Sequence, residues 1–248
     1  MYGGGGSARR LFDAAGLTGP LPVRPVTWGP DDPGGHGNSM APSPGCDHPV
    51  PMTEPTNRIR ATYTDSTVTV YQAYTPEIGR RAAHEGRFPP TWKRDRMTWI
   101  KPSFLWMMYR CGWGAKEGQE TVLAVEISRE GFEWALENAC LSHYVRGLHA
   151  DEATWKRQLK RAPARVQWDP ERDLRLQPLP YRSLQLGLAG EAARLYADEW
   201  ITSITDITPL AHRVHAHVKA GDLDAAQQLL PPERPYLVKE GFLAHLSQ

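Results

Sequence analysis

Lys101, Ser103 and Arg110 fall inside the most apolar stretch of the chain, WIKPSFLWMMYRCGW, residues 99–113. An ammonium, a hydroxyl and a guanidinium at this spacing could hold an anion. At about 100° per residue on a helix, Ser103, Trp106, Met107 and Arg110 share one stripe, with Lys101 at its entry. Phe104, Leu105, Met107, Met108 and Cys111 then spread apolar side chains over nearly every side, the pattern of a buried helix. A buried arginine needs a partner. Either a carboxylate of the same chain meets Arg110, or a bound anion such as a phosphate does. The free N–H groups at the helix start, beside Lys101 and Ser103, could also receive a phosphate.

Acid–base chemistry has fewer candidates. In RVQWDPERD, strand alternation sets Arg165, Gln167 and Asp169 on one face, against Val166 and Trp168 on the other. In YRSLQLGL, Arg182 precedes Ser183 and Gln185, which share a face opposite Leu184 and Leu186. Two such strands could floor a site, or could be the solvent face of an edge sheet. Asp169 and Glu171 are candidate general bases, although DPER is also ordinary turn chemistry. His212, His215 and His217 lack the ligand spacing of a metal site, and a solvated helix face accounts for them. The basic run KRQLKRAPAR offers Lys156, Arg157, Lys160 and Arg161 to nucleic acid, with Trp155 and Trp168 nearby for stacking; it could equally be a solvated helix. The Walker A, GxGxxG, GxSxG and HExxH signatures are absent.

These residues depend on the elements that carry them. STVTVYQAY (66–74) alternates as a strand, with Val68, Val70, Gln72 and Tyr74 on one face and Thr69, Tyr71 and Ala73 on the other. A helix follows, with Thr75 as N-cap, Pro76 at its first position and Gly86 as its stop. In the 99–113 stretch, Pro102 at the first turn and Gly112 past the end define a helix of about ten residues, roughly 15 Å long. ETVLAVEISR (120–129) reads as a strand, EGFEWALENACL as a helix, and DEATWKRQLKRAP (151–163) as a charged helix ended by Pro163. ARVQWDPERD reads as a strand ending at Pro170, YRSLQLGL as another strand, and GEAARLYADEWITSI as a helix. DITPLAHRVHAHVKAG and DLDAAQQLLPPERPY form a helical pair broken at Gly221. Mixed strands and helices in this order indicate an α+β fold.

Composition divides the chain. Residues 1–51 hold eleven of the 22 glycines and nine of the 22 prolines, with no apolar periodicity. Such a segment cannot bury enough surface to offset its chain entropy, and it reads as a disordered leader. It lacks the apolar run of a signal peptide. Met52 is the expected natural start, the leader being an upstream extension or a native tail. Residues 52–248 then suffice for one globular domain. The leader carries three of the 29 basic and four of the 28 acidic residues, which leaves 26 against 24 and no global basic field. Cys46, Cys111 and Cys140 show no CxxC spacing, which suggests a reducing compartment. No apolar run reaches the length of a membrane span, so the cytoplasm is the expected location.

VYQAY, WIKPSFLWMMYRCGW, VQWDPERD and RSLQLGL, in this order and spacing, resemble the bacterial and fungal domain-of-unknown-function family numbered 4291. The resemblance runs from about Arg58 to about Tyr236. It implies no settled chemistry. VTVYQAYTPEIGRRAAHEGRF is also similar in layout to the first strand and helix of ADP-ribosyltransferase-like folds, where a polar strand motif grips NAD. Here Tyr71-Gln72-Ala73 replaces a histidine or arginine motif, and Gln185 replaces a late-strand glutamate. Three expectations stand side by side. The first is an enzyme handling a nucleotide-type anion such as NAD: Lys101, Ser103, Arg110, Arg165, Gln167 and Arg182 hold it, Tyr71, Gln72, Tyr74 or Trp106 contact its rings, and Gln185 or Asp169 acts on the acceptor. The second is a nucleic-acid-binding or RNA-processing module built on Lys156, Arg157, Lys160 and Arg161. The third is an interaction domain without catalysis.

Overall fold

β-Branched alternation builds the first sheet. In a computed structural model, which describes residues 57–238 and 245–246, β3 (Thr67–Tyr74) pairs antiparallel with β5 (Thr121–Ser128), and β5 pairs antiparallel with β9 (Ile201–Asp206). Two short strands, β1 (Asn57–Arg58) and β2 (Arg60–Ala61), precede them. Val68, Val70, Leu123, Val125 and Ile127 face the larger core, while Tyr71, Val122 and Ala124 face a second cluster. The sheet is therefore covered on both faces. The described residues belong to one compact unit, Pro51–Gln248. The segment expected to be a leader lies outside them.

The second sheet carries the chemistry. Its long hairpin is β7 (Ala164–Arg172) and β8 (Pro178–Leu188), paired antiparallel. β6 (Ala139–Leu141) adds parallel to β7, and both β1 and β4 (Thr98–Ile100) pair with β8. A single antiparallel bridge, Tyr71 to Lys101, links β3 to the end of β4. Strand β7 was expected to end at Pro170. It continues to Arg172: Pro170 still pairs with Arg182, and the register shifts only beyond it, before Arg172 meets Pro178.

Helices close the layers. α1 (Pro76–Glu85) starts after Thr75 and stops at Gly86, whose φ of 66° is left-handed, as expected. α2 (Phe104–Cys111) follows Ser103, α3 (Arg129–Glu137) follows β5, and α4 (Glu152–Arg161) is capped by Asp151. α6 (Thr208–Ala220) and α7 (Leu223–Gln228) pack together beside the second core cluster, and β10 (Arg234–Pro235) pairs with β2. The expected single helix over 190–204 is only α5 (Glu191–Leu195) and a π-turn at Tyr196–Trp200. Ile201, Thr202, Ile204 and Thr205 instead complete the first sheet, where β-branched side chains pack well on a pleated surface. No helix among the described residues is long and apolar enough to cross a membrane.

Candidate functional site

One polar face of the second sheet gathers most of the chemistry-bearing residues. The register Gln167↔Gln185 and Asp169↔Ser183 puts these four side chains on the same side of the β7–β8 hairpin. Gln167 Nε2 donates to Asp169 Oδ1 at 2.9 Å, and Gln185 Nε2 donates to Asp169 Oδ2 at 3.2 Å. Arg165 lies one pleat further along, opposite Gly187. Trp99 covers that glycine closely: a Cβ on Gly187 would meet its ring at 2.9 Å and Met97 Sδ at 2.8 Å. Lys101 lies one residue past the β4–β8 pairing Ile100↔Leu186, next to Gln185.

Lys101 is the outlier of this face. It is 4% exposed, yet it makes no ion pair with a described residue. Its Nζ donates to the Trp99 carbonyl at 3.3 Å and stands 5.1 Å from the Trp106 ring centroid. Burial, helped by the charge of Arg110, lowers the lysine from its usual 10.5 to about 7, against the opposing pull of Asp169. Burial also raises the Asp169 carboxyl, while Gln167, Lys101 and Arg182 partly hold it down. Two buried polar atoms of this face, Arg165 Nε and Ser183 Oγ, have no hydrogen-bond partner among the described residues. Arg182 is exposed at the rim and donates to the Trp168 carbonyl at 2.9 Å. His143 lies in the field of Arg182 and Asp169, and burial lowers it.

The quoted segments of the chain now have places in the fold. Its segments VYQAY, WIKPSFLWMMYRCGW, VQWDPERD and RSLQLGL lie on β3, β4 with α2, β7 and β8. The model of the family described as "Domain of unknown function (DUF4291)" matches residues 58–236. The chain belongs to this family. No curated protein matches it.

Other expected residues of this DUF4291 domain lie elsewhere. Ser103 is engaged by groups of the chain itself. Its Oγ caps α2 by accepting from Trp106 N at 3.2 Å, and donates to Glu171 Oε1 at 2.9 Å. The next free amide, Phe104 N, donates to Glu233 Oε1 at 2.6 Å. Two carboxyl groups of the chain therefore occupy the helix start that could have received a phosphate. Arg110, expected to be buried, is exposed with Tyr109, because α2 presents only part of its circumference to the cores. The expected first-turn Pro102 precedes the N-cap, so the helix has eight residues.

Gln72 and Tyr74 stitch the seam between β3 and β4, and Gln72 Nε2 shares the Trp99 carbonyl with Lys101 Nζ. Gln72 Nε2 reaches Thr98 Oγ1 at 2.7 Å, and Gln72 Oε1 accepts from the Tyr196 hydroxyl at 2.6 Å. The Tyr74 hydroxyl lies 3.3 Å from Thr98 Oγ1 and accepts from Trp92 Nε1 at 3.0 Å. Tyr71 packs edge-on against Phe104 in the second core. Trp106 is buried under Lys101 rather than open for stacking. On α4, Lys156, Arg157, Lys160 and Arg161 are exposed, but Trp168 is a core residue and Trp155 Nε1 is tied to the Leu141 carbonyl at 2.9 Å. His215 stacks on Trp113, with centroids 5.1 Å apart. Among the described residues, no cluster of three or more metal-type ligands occurs.

Sequence reasoning weighed Glu171 only as a base and missed Glu233, Trp99 and His143 as neighbours of the site. Glu233 sits in PPERPY, where nothing local marks a carboxyl folded against the α2 start. Trp99 had a signal, since an isolated glycine in a strand pattern such as LQLGL marks a close approach.

Proposed function

We propose that the polar face around Lys101 and Asp169 is the active centre of an enzyme acting on a nucleotide-type anion, with NAD as the leading case. One observation carries this reading: Lys101 is buried without an ion pair to any described residue, beside a carboxyl whose own ionisation is opposed by burial. A desolvated charge without a partner is costly, and strongly perturbed groups concentrate at functional sites. An anionic group entering beside Lys101 would supply the missing charge. Arg165, through its unpartnered Nε, and Arg182 at the rim are placed to share it. With a pKa of about 7, the lysine populates both protonation states at neutral pH and can also carry a proton. Asp169, held by Gln167 and Gln185, is the acceptor-activating base in this scheme. The buried thiols of Cys111 and Cys140, both free, suit a reducing compartment, and we place the protein in the cytoplasm.

The test is a thermal-shift series with NAD, ADP-ribose, ATP and a short RNA, on the wild type and Lys101→Met. The reading predicts that NAD or ADP-ribose raises the wild-type Tm and leaves the variant unchanged, since a ligand that binds only the folded state must stabilise it. If no nucleotide shifts the wild type at millimolar concentration, the reading is wrong.

A further inference from the structure

A separate cavity of about 460 Å³ lies on the other side of Ser103 and Glu171, between the start of α2, the β7–β8 turn and α7. Its volume is in the range of small-molecule sites. Leu105, Leu174, Leu179, Leu223 and Leu230 supply apolar walls, and Glu171, Glu233 and Arg60 supply polar groups. Hydrogen bonds from the protein reach only one oxygen of each carboxyl. Glu171 Oε1 accepts from Ser103 Oγ and from Arg172 N at 2.8 Å, and Glu233 Oε1 accepts from Phe104 N. Neither Oε2 atom has a hydrogen-bond partner among the described residues. The Ser183 hydroxyl is near enough to ease Glu171 ionisation but makes no bond of full geometry.

Among the described residues, no cation forms an ion pair with either carboxyl. Arg60 acts on both carboxyls, yet its guanidinium donates to the Glu233 backbone carbonyl at 2.7 Å. Arg172 lies flat on Tyr109, 3.6 Å from the ring centroid, and donates to the Leu176 carbonyl. Arg175 is exposed at the rim, and Asp173 accepts from Gln177 N in the turn. Buried Glu171 and half-buried Glu233 therefore share the nearby Arg60 guanidinium.

We infer that this cavity binds an alkyl ammonium or alkyl guanidinium ion, with its aliphatic body between the leucine walls and its cationic head against Glu171 and Glu233. Burial raises both carboxyls, Glu233 to about 8 with Glu171 adding repulsion. At neutral pH Glu233 thus keeps its proton, and an arriving cation displaces it. Neither Lys101 nor Asp169 lines this cavity.

Titration calorimetry on the full chain with pentylamine, pentylguanidine, 1-pentanol and pentanoate tests the charge and the shape together. The cationic ligands should bind at least about tenfold tighter than the alcohol and release a proton, seen as a heat that depends on the buffer. Glu233→Gln keeps an acceptor for Phe104 N and should erase both the preference and the proton release. Leu223→Trp fills the cavity from α7 without touching the carboxyls, and should abolish binding of amine and alcohol alike. Equal affinity for amine and alcohol, a preference for pentanoate, or undiminished binding in Leu223→Trp would each overturn the inference. Should Glu233→Gln not fold, the ligand series and Leu223→Trp decide by themselves.

Discussion

Replacing Lys101 by methionine should stabilise the protein, with a size that depends on pH in a defined way. Methionine keeps most of the side-chain volume and removes the amine. In the unfolded chain the lysine titrates at 10.5, and in the fold at about 7. Below about pH 7 both states are charged, and the fold carries the whole desolvation cost. At ~1.4 kcal/mol per tenfold difference in proton affinity, that cost is at most roughly 5 kcal/mol. Loss of the contact with Trp106 returns about 1 kcal/mol. The Trp99 carbonyl keeps a donor, since Gln72 Nε2 also reaches it at 3.2 Å. The variant should therefore gain roughly 3–4 kcal/mol at about pH 6. Between about pH 7 and 10.5 the folded amine is neutral while the unfolded one is still charged, so wild-type stability rises and the variant's advantage shrinks. Urea unfolding across this range, extrapolated to water, measures the difference directly. A difference that is zero at about pH 6, or that does not change with pH, would refute the account of Lys101 as an uncompensated buried amine.

Glu233→Gln tests the opposite sign. The folded carboxyl holds its proton to about 8, whereas the unfolded one releases it near 4.5, so wild-type stability should fall as pH rises through that window and the variant should lose this slope. Ser103→Ala removes the α2 cap and one donor to Glu171, and should cost about 1–3 kcal/mol in chemical denaturation. Tyr196→Phe leaves buried Gln72 Oε1 without its donor; a loss of about 1–3 kcal/mol is expected, and a neutral result would remove the seam's role in joining β3 to β4.

Much of the local structure was legible in the sequence. Thr75-Pro76 and Gly86 marked α1, Asp151 and Pro163 bracketed α4, and Gly112 stopped α2. These signals act within one turn of chain, so tertiary context rarely overrides them. The alternation in VQWDPER and RSLQLGL also placed Gln167, Asp169, Ser183 and Gln185 on one face. It left open whether that face was solvent or site, because alternation fixes direction and not cover. Residues 201–206 misled, since a helical run and an edge strand differ there only in what lies alongside; β5 was that neighbour.

By itself, the sequence determined which side chains share a strand face, where α1, α2 and α4 begin or end, and which family the chain belongs to. Only the tertiary structure decided what surrounds those groups. Glu171 and Glu233, 68 and 129 residues from their partners at the α2 start, took the place that a phosphate could have filled. Arg110 turned outward and Lys101 was shut in beside Trp106 and Asp169. Propensity and capping are short-range, whereas desolvation and charge pairing depend on every element that folds over a group.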